Sequence, residues 1–389
     1  MTRNARIRPG LLALACGALL AFAMSAAAQE KPASAPKKSM AAQATTEQLQ
    51  QYLKKFPNAD ANGDGQLTAQ EALAYRKNKK GGADSAEGAA SQPASSKPTD
   101  SKAARKKTAV TDLPADLVLE RDLSYGEGPN AQYQTLDILY HKDTAKRRPA
   151  IVMIHGGGFR GGDKATFLGW VQYFGKLGYV TMTINYRLTG VAPFPAQVED
   201  CKQAVRWLRA NAAKYGVDPD HIGALGGSAG AHLATMLALV PKSAGLEGDG
   251  PYQDQSSLVQ AAVPISGAYD FRADAIRRTG MRIDDMALVP FLGGTADEKP
   301  ELAAKSSPIT YIAKDESPLL IFHGTADKRI DVRQAKEFDE ALKKIGADYE
   351  MVIIDGAGHV PDIPSMPEYE AKVEAFFAKN LKLQPEDKE

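Results

Sequence analysis

The pentapeptide Gly226-Gly227-Ser228-Ala229-Gly230 constrains this chain more than any other stretch. A short apolar run of strand type, 222–225, precedes it, and a helical run, 231–239, follows it. A serine at such a strand-to-helix turn is held in a strained bend with its hydroxyl exposed. The flanking glycines fit because a Cβ there would strike the neighbouring strand or helix. The G-x-S-x-G pattern alone is a weak signal in a chain with 34 glycines. The strand before it and the helix after it supply the required context, so Ser228 is the candidate nucleophile.

The surrounding pattern has the same character. Apolar strand-like runs occur at 150–154, 179–185, 222–225, 261–266, 319–322 and 349–354, after an opening pair at 117–125 and 133–140. Helical stretches fall between or after them at 167–177, 196–215, 231–239, 332–345 and 367–381. Short apolar strands separated by helices predict an α/β fold. About eight mostly parallel strands would be covered by helices on both faces. Chemistry in such a sheet gathers beyond the C-terminal strand ends.

Further chemistry-bearing residues fall at that edge. His155-Gly156-Gly157-Gly158 follows the 150–154 strand. Consecutive glycines can turn backbone N–H groups toward a developing negative oxygen. Gly157 and Gly158, with Ala229, are the candidate oxyanion donors. A phosphate loop would need G-x-x-x-x-G-K-[ST], which is absent, and no complete dinucleotide fingerprint occurs in its βαβ context. Asp327 follows the 319–322 strand and is the candidate acid, with Asp331 as competitor. His359, on the glycine-rich loop 355–359 past the last strand, is the candidate base. His141, His155, His221, His232 and His323 sit at places better suited to structural roles. The order Ser228, Asp327, His359 differs from the chymotrypsin and subtilisin orders.

Six segments carry a family likeness: 155–164 (HGGGFRGGDK), 185–188 (NYRL), 194–200 (FPAQVED), 226–230 (GGSAG), 291–294 (FLGG) and 323–327 (HGTAD). On these, residues 117–381 resemble the α/β-hydrolase superfamily. The likeness is nearest to the bacterial esterase/lipase branch, beside the hormone-sensitive-lipase-like and feruloyl-esterase-like proteins. It implies ester hydrolysis through an acyl-enzyme, with no cofactor for catalysis. Ala231 departs from the pattern, since many relatives carry glycine there. The expected substrate is a small or polymer-linked ester, short-chain or aryl, including acetyl or feruloyl groups on polysaccharide. Competing readings are an amide-cleaving hydrolase of the same fold, formamidase or peptidase-like, and a non-catalytic calcium-dependent binder. Segments 241–258 and 271–307 are expected to form a cap or pocket walls, and Met281, Met286, Leu288 and Phe291 on them could line an acyl or aryl pocket or equally be core.

The N-terminal part is organised differently. Basic residues Arg3, Arg6 and Arg8, the apolar run 11–24 and Ala26-Ala27-Ala28 read as a signal peptide over 1–28. Residues 29–44 form a flexible lead-in, 45–78 an EF-hand-like module, 79–112 a disordered linker, and 113–385 the catalytic domain. The stretch 60–71 matches D-x-[DN]-x-[DN]-G-x₅-E at every specified position. Asp60, Asn62, Asp64, the Gln66 carbonyl and Glu71 would hold Ca²⁺ through oxygen, with a water-linked contact from Thr68. No second loop accompanies it, so a local clip or attachment module is expected, one that could touch the cell envelope or a glycan.

The formal charge is +1. Loss of the three leader arginines gives 1 − 3 = −2, which excludes charge-driven nucleic-acid binding. Loss of Cys16 leaves Cys201 alone, so no internal disulfide is expected. These features predict a periplasmic or secreted protein with no transmembrane segment in its mature form.

Overall fold

The computed structural model describes residues 113–280 and 287–383. They belong to the second of two compact units, Lys102–Glu389. The signal peptide, the calcium loop and the linker expected over 1–112 lie outside the described residues, as do Met281 and Met286.

The strands are β1 (Leu117–Ser124), β2 (Thr135–His141), β3 (Arg148–Ile154), β4 (Val180–Ile184), β5 (Val217–Gly227), β6 (Ala261–Ile265), β7 (Leu319–Gly324) and β8 (Tyr349–Ile354). They form one sheet in the order β1-β2-β4-β3-β5-β6-β7-β8. β2 pairs antiparallel with both β1 and β4, and every later pairing is parallel. The chain therefore builds the mostly parallel eight-stranded sheet that its apolar runs imply.

Alternation along the strands decides what each face meets. On β3, Ala150, Val152 and Ile154 pack into one core, while Ile151 and Met153 pack into the other. On β7, Leu319 and Ile321 face the first core, and Leu320 and Phe322 the second. Five longer helices cover these faces among the described residues: α1 (Leu168–Lys176), α2 (Ala196–Ala210), α3 (Ala229–Leu239), α4 (Arg333–Ile345) and α5 (Pro367–Asn380). Val171 and Phe174 of α1 and Val373 and Phe377 of α5 close the second core. Val198, Val205, Leu233, Leu237, Phe338 and Leu342 bring α2, α3 and α4 onto the first. Every residue of α3 is buried, which is why its sequence is apolar all round rather than amphipathic. Each large side chain sealed here contributes roughly 2–3 kcal/mol.

The sequence reading differs from the structure in two elements. The helix expected over 196–215 divides at Asn211, whose side-chain amide donates to the Trp207 carbonyl at 2.8 Å. Such a side chain competes with the backbone for its own helix. β5 starts at Val217, before Pro219, where no strand was expected. Arg148 pairs with Val217 and Ala150 with Ile222, so five steps of β5 oppose two of β3 and the proline-bearing excess bulges. Cys201 is fully buried on α2 as a free thiol, and burial pushes its pKa well up.

His232, on α3, is fully buried, with Nε2 at 2.7 Å from the Ser306 carbonyl. That carbonyl can only accept, so Nε2 carries the proton of a neutral ring. Burial pushes the ring's pKa down to about 4, although the Ser306 contact opposes this. A base whose folded pKa lies below its unfolded one leaves stability intact above about 6.5 and removes it as pH falls through the folded value. Between pH 7.5 and 4.5 this side chain should cost roughly 2–3 kcal/mol of stability. His232→Gln, which keeps a donor for Ser306, should flatten that acid limb in urea titrations at the two pH values. An unchanged difference between them would rule out His232 as its source.

Candidate active site

The turn after β5 is built by close backbone approach. A Cβ on Gly226 would stand 2.3 Å from the Gly230 carbonyl oxygen, and one on Gly230 only 2.0 Å from that of Ile154. Ser228 itself adopts φ 56° and ψ −119°, a conformation costly for a residue with a Cβ. Its N–H donates to the Ile265 carbonyl at 2.9 Å, so the neighbouring strand holds the bend in place. α3 begins at the next residue.

The structure brings Ser228, His359 and Asp327 together. His359 Nε2 lies 2.8 Å from Ser228 Oγ, and His359 Nδ1 lies 2.7 Å from Asp327 Oδ2. The carboxylate can only accept from Nδ1, so Nδ1 carries the proton and Nε2 is free to take one from the serine hydroxyl. The Asp327 side chain is fully buried, while His359 keeps 18% of its side chain exposed. Burial alone would raise the Asp327 pKa. His323, His359 and the backbone N–H groups of Ile330 and Arg329 outweigh burial and hold the carboxyl well below the usual carboxylate range. The Arg329 N–H donates to Oδ1 at 2.8 Å and the Ile330 N–H at 3.0 Å. Asp331, the competing acid, is engaged by Arg333 instead.

The glycine loop after β3 faces this serine. Gly157 and Gly158 adopt φ of 116° and 61°, which only glycine takes readily. Neither of their N–H groups has a protein acceptor among the described residues. The N–H of Ala229 opens α3, where no intrahelical acceptor exists. Both ends of the loop are tied down. At one end His155 stacks on Tyr186, whose hydroxyl donates to the His155 carbonyl at 2.9 Å. At the other, Lys164 forms ion pairs with Asp122 and with buried Asp137.

Three residues that hold the site escaped the sequence reading. Ser266, fully buried past β6, accepts the Val360 N–H at 3.1 Å and so fixes the loop bearing His359. His323, read as a structural histidine, places Nε2 3.4 Å from Asp327 Oδ2 and 2.8 Å from the Ile330 carbonyl. Lys164 was visible only as the end of the 155–164 motif, without its partners. Nothing in the local sequence marks Ser266, because its partner lies 94 residues away.

A cleft of about 750 Å³ opens over these groups. Its walls include Phe159, Phe167, Ala268, Ala287 and Val360, together with Ser228 and His359. Of the residues open to either a pocket or a core role, Leu288 and Phe291 do not line it. They are buried in the first core, where Phe291 stacks on Phe159 at 4.0 Å. Segment 241–258 supplies none of the cleft either. Its residues Gly248, Asp249, Gly250 and Pro251 border a separate polar cavity. Among the described residues no cluster of His, Cys, Asp and Glu could hold a metal ion, and no helix is long and apolar enough to cross a membrane.

The geometry predicts an activated serine, which a fluorophosphonate probe reads directly. Ser228→Ala and His359→Ala should lose labelling. Ser266→Ala, which frees the histidine loop by removing one buried hydrogen bond, should slow it about five- to tenfold. Labelling of the Ser266 variant at the wild-type rate would show that this contact does not position His359.

Comparison with known proteins agrees with the topology. Esterase LipQ of Mycobacterium tuberculosis is 32% identical over 234 residues, covering 58% of this chain and 53% of LipQ. The chain thus spans about half the length of the curated relatives it matches. Among solved structures, a truncated carbohydrate esterase from gut microbiota is 26% identical with a TM-score of 0.61, covering 68% of this chain and 96% of that one. The thermophilic esterase Est2 of the planctomycete Thermogutta terrifontis is 29% identical with a TM-score of 0.57, covering 70% and 95%. The BD-FAE family profile matches residues 136–342, more than half of the sequence, and the chain belongs to that family, within the esterase branch of the α/β-hydrolases.

Proposed function

We propose that this chain is an exported serine carboxylic-ester hydrolase acting through Ser228, His359 and Asp327. One observation carries the reading: a serine hydroxyl, an imidazole and a buried carboxylate in line at 2.8 and 2.7 Å, beside unengaged backbone donors. The names of the similar proteins, an esterase and a carbohydrate esterase among them, support ester chemistry.

The steps follow from the atoms present. Ser228 Oγ attacks the ester carbonyl carbon while His359 Nε2 takes its proton. Asp327 keeps the ring in the productive tautomer and stabilises its charged form. The N–H groups of Gly157, Gly158 and Ala229 receive the developing oxyanion, and each such donor is worth roughly 3–4 kcal/mol. His359 then gives its proton to the leaving alkoxide, forming an acyl-enzyme. Water, deprotonated by the same ring, releases the acid and restores the serine.

Short-chain or aryl esters are the proposed substrates, in small molecules or as acetyl or feruloyl groups on polysaccharide. The partly apolar, partly open cleft supports this class. Hydrolysis of p-nitrophenyl esters of graded length tests the reading. Ser228→Ala should lower kcat by about 10⁴-fold or more, and Asp327→Asn by about 10⁴-fold. Wild-type protein that turns over anilides or formamides faster than matched esters would replace it with the amide-cleaving reading.

Export rests on the leader sequence, and calcium binding on the 60–71 motif, outside the described residues. Asp60→Ala with Glu71→Ala should abolish calcium binding, read by calorimetry, and leave ester turnover nearly unchanged. A collapse of kcat in that variant would make the small module part of the catalytic apparatus.

A further inference from the structure

Among the described residues the charge around the cleft is one-sided. Arg160, Lys328 and Arg329 line it, and among the described residues no Asp or Glu does. The chain as a whole is balanced, with 48 basic and 47 acidic residues, so the excess is local. Arg160 lies two residues past the candidate donor Gly158, and Lys328 and Arg329 follow Asp327 directly. The cations therefore come from the two loops that carry the donors and the acid.

Nothing among the described residues engages their side chains either. Twelve arginines lie among the described residues. On the outer surface, Arg272, Arg277, Arg278 and Arg333 are each paired with a carboxylate. Arg121, Arg187 and Arg206 also meet carboxylates, while Arg147, Arg148 and Arg209 donate to backbone carbonyls. The guanidinium groups of Arg160 and Arg329 alone have no protein acceptor among the described residues. Both are exposed, and both line the one cleft that holds Ser228. A guanidinium is a planar fork of donors matched to a carboxylate. Chance solvation would scatter unpaired arginines over the surface rather than set both beside the nucleophile.

We propose that the cleft selects esters bearing a carboxylate, held by Arg160 and Arg329 with Lys328 adding a point charge. This rests on the hydrolase reading and narrows its substrate class. The carboxylate can come from the alcohol, as in an acylated acidic sugar, or from the acyl group, as in the half-ester of a dicarboxylic acid. Because the cations are exposed, the preference depends on ionic strength.

Two matched pairs test it: 4-acetoxybenzoate against its methyl ester, and 4-nitrophenyl hydrogen glutarate against 4-nitrophenyl pentanoate. Each kcat/KM is divided by the substrate's own hydroxide-catalysed rate, so intrinsic reactivity cancels. At about 20 mM ionic strength the anionic member of one pair should be favoured about tenfold, and at about 500 mM the ratio should fall several-fold. A preference in the first pair places the carboxylate on the alcohol side, and one in the second places it on the acyl side. Arg160→Gln with Arg329→Gln should bring the ratio to near one. Both esters are measured on the same variant sample, so partial misfolding cannot mimic this. Neutral esters turned over with ratios at or below one, unmoved by salt or by the variant, would overturn the proposal. Failure to turn over any of the four esters would instead remove the hydrolase reading beneath it.

Discussion

The bend at Ser228 is the constraint on which the rest of the site depends. It exists because β5 ends under α3 with almost no clearance, so that side chains at Gly226 and Gly230 would collide with backbone oxygens. The serine is forced to φ 56°, and the hydrogen bond from its N–H to Ile265 holds it there. The cost of that conformation, of order 1–3 kcal/mol, has to be met by surrounding packing. β5 supplies it, lying between β3 and β6 with both faces covered. A strand at the sheet edge could not hold a strained turn so firmly.

Two more strand ends then set the geometry. β7 delivers Asp327 and β8 delivers His359, and their loops touch because Gly324 leaves room for the Ala357 carbonyl. The Ala326 N–H donates to that same carbonyl at 2.9 Å. β6, between β5 and β7, contributes no reacting group. It contributes the carbonyl that holds Ser228 and, just past its end, the hydroxyl that holds the histidine loop. Parallel order makes this possible, since four neighbouring strands end at the same edge.

Much of this was legible in the sequence for a definite reason. The strands are short apolar runs with both faces buried, and the candidate reacting residues sit in the turns and loops that follow them. Local pattern and position along the chain therefore carry both fold and site. What was not legible is of another kind. Ser266 and Lys164 act through partners 94 and 27 residues away, and His323 acts through the side chain of Asp327. Leu288 and Phe291 could be read as pocket or core because apolarity is common to both, and burial in the first core, with Phe291 stacked on Phe159, decided it. The Pro219 bulge was hidden because proline and aspartate argue against a strand that a wide register shift still permits.

The site and its mouth are built from different materials, and that difference assigns their roles. Everything near the serine oxygen is fixed by backbone donors and acceptors or by buried side chains: the Ile265 carbonyl, the Val360 N–H, the amides on Asp327. These groups lose little freedom when a substrate arrives, as stabilisation of a transient charge requires. Arg160, Lys328 and Arg329 are long, exposed and held by nothing among the described residues. Such side chains contribute little to reacting geometry, and ordering them costs side-chain entropy. Their charge reaches into solvent over about a Debye length, so they act on which ester approaches and how it lies. On the proposed reading, the sheet sets the bond that is cut and the loops choose the molecule that carries it.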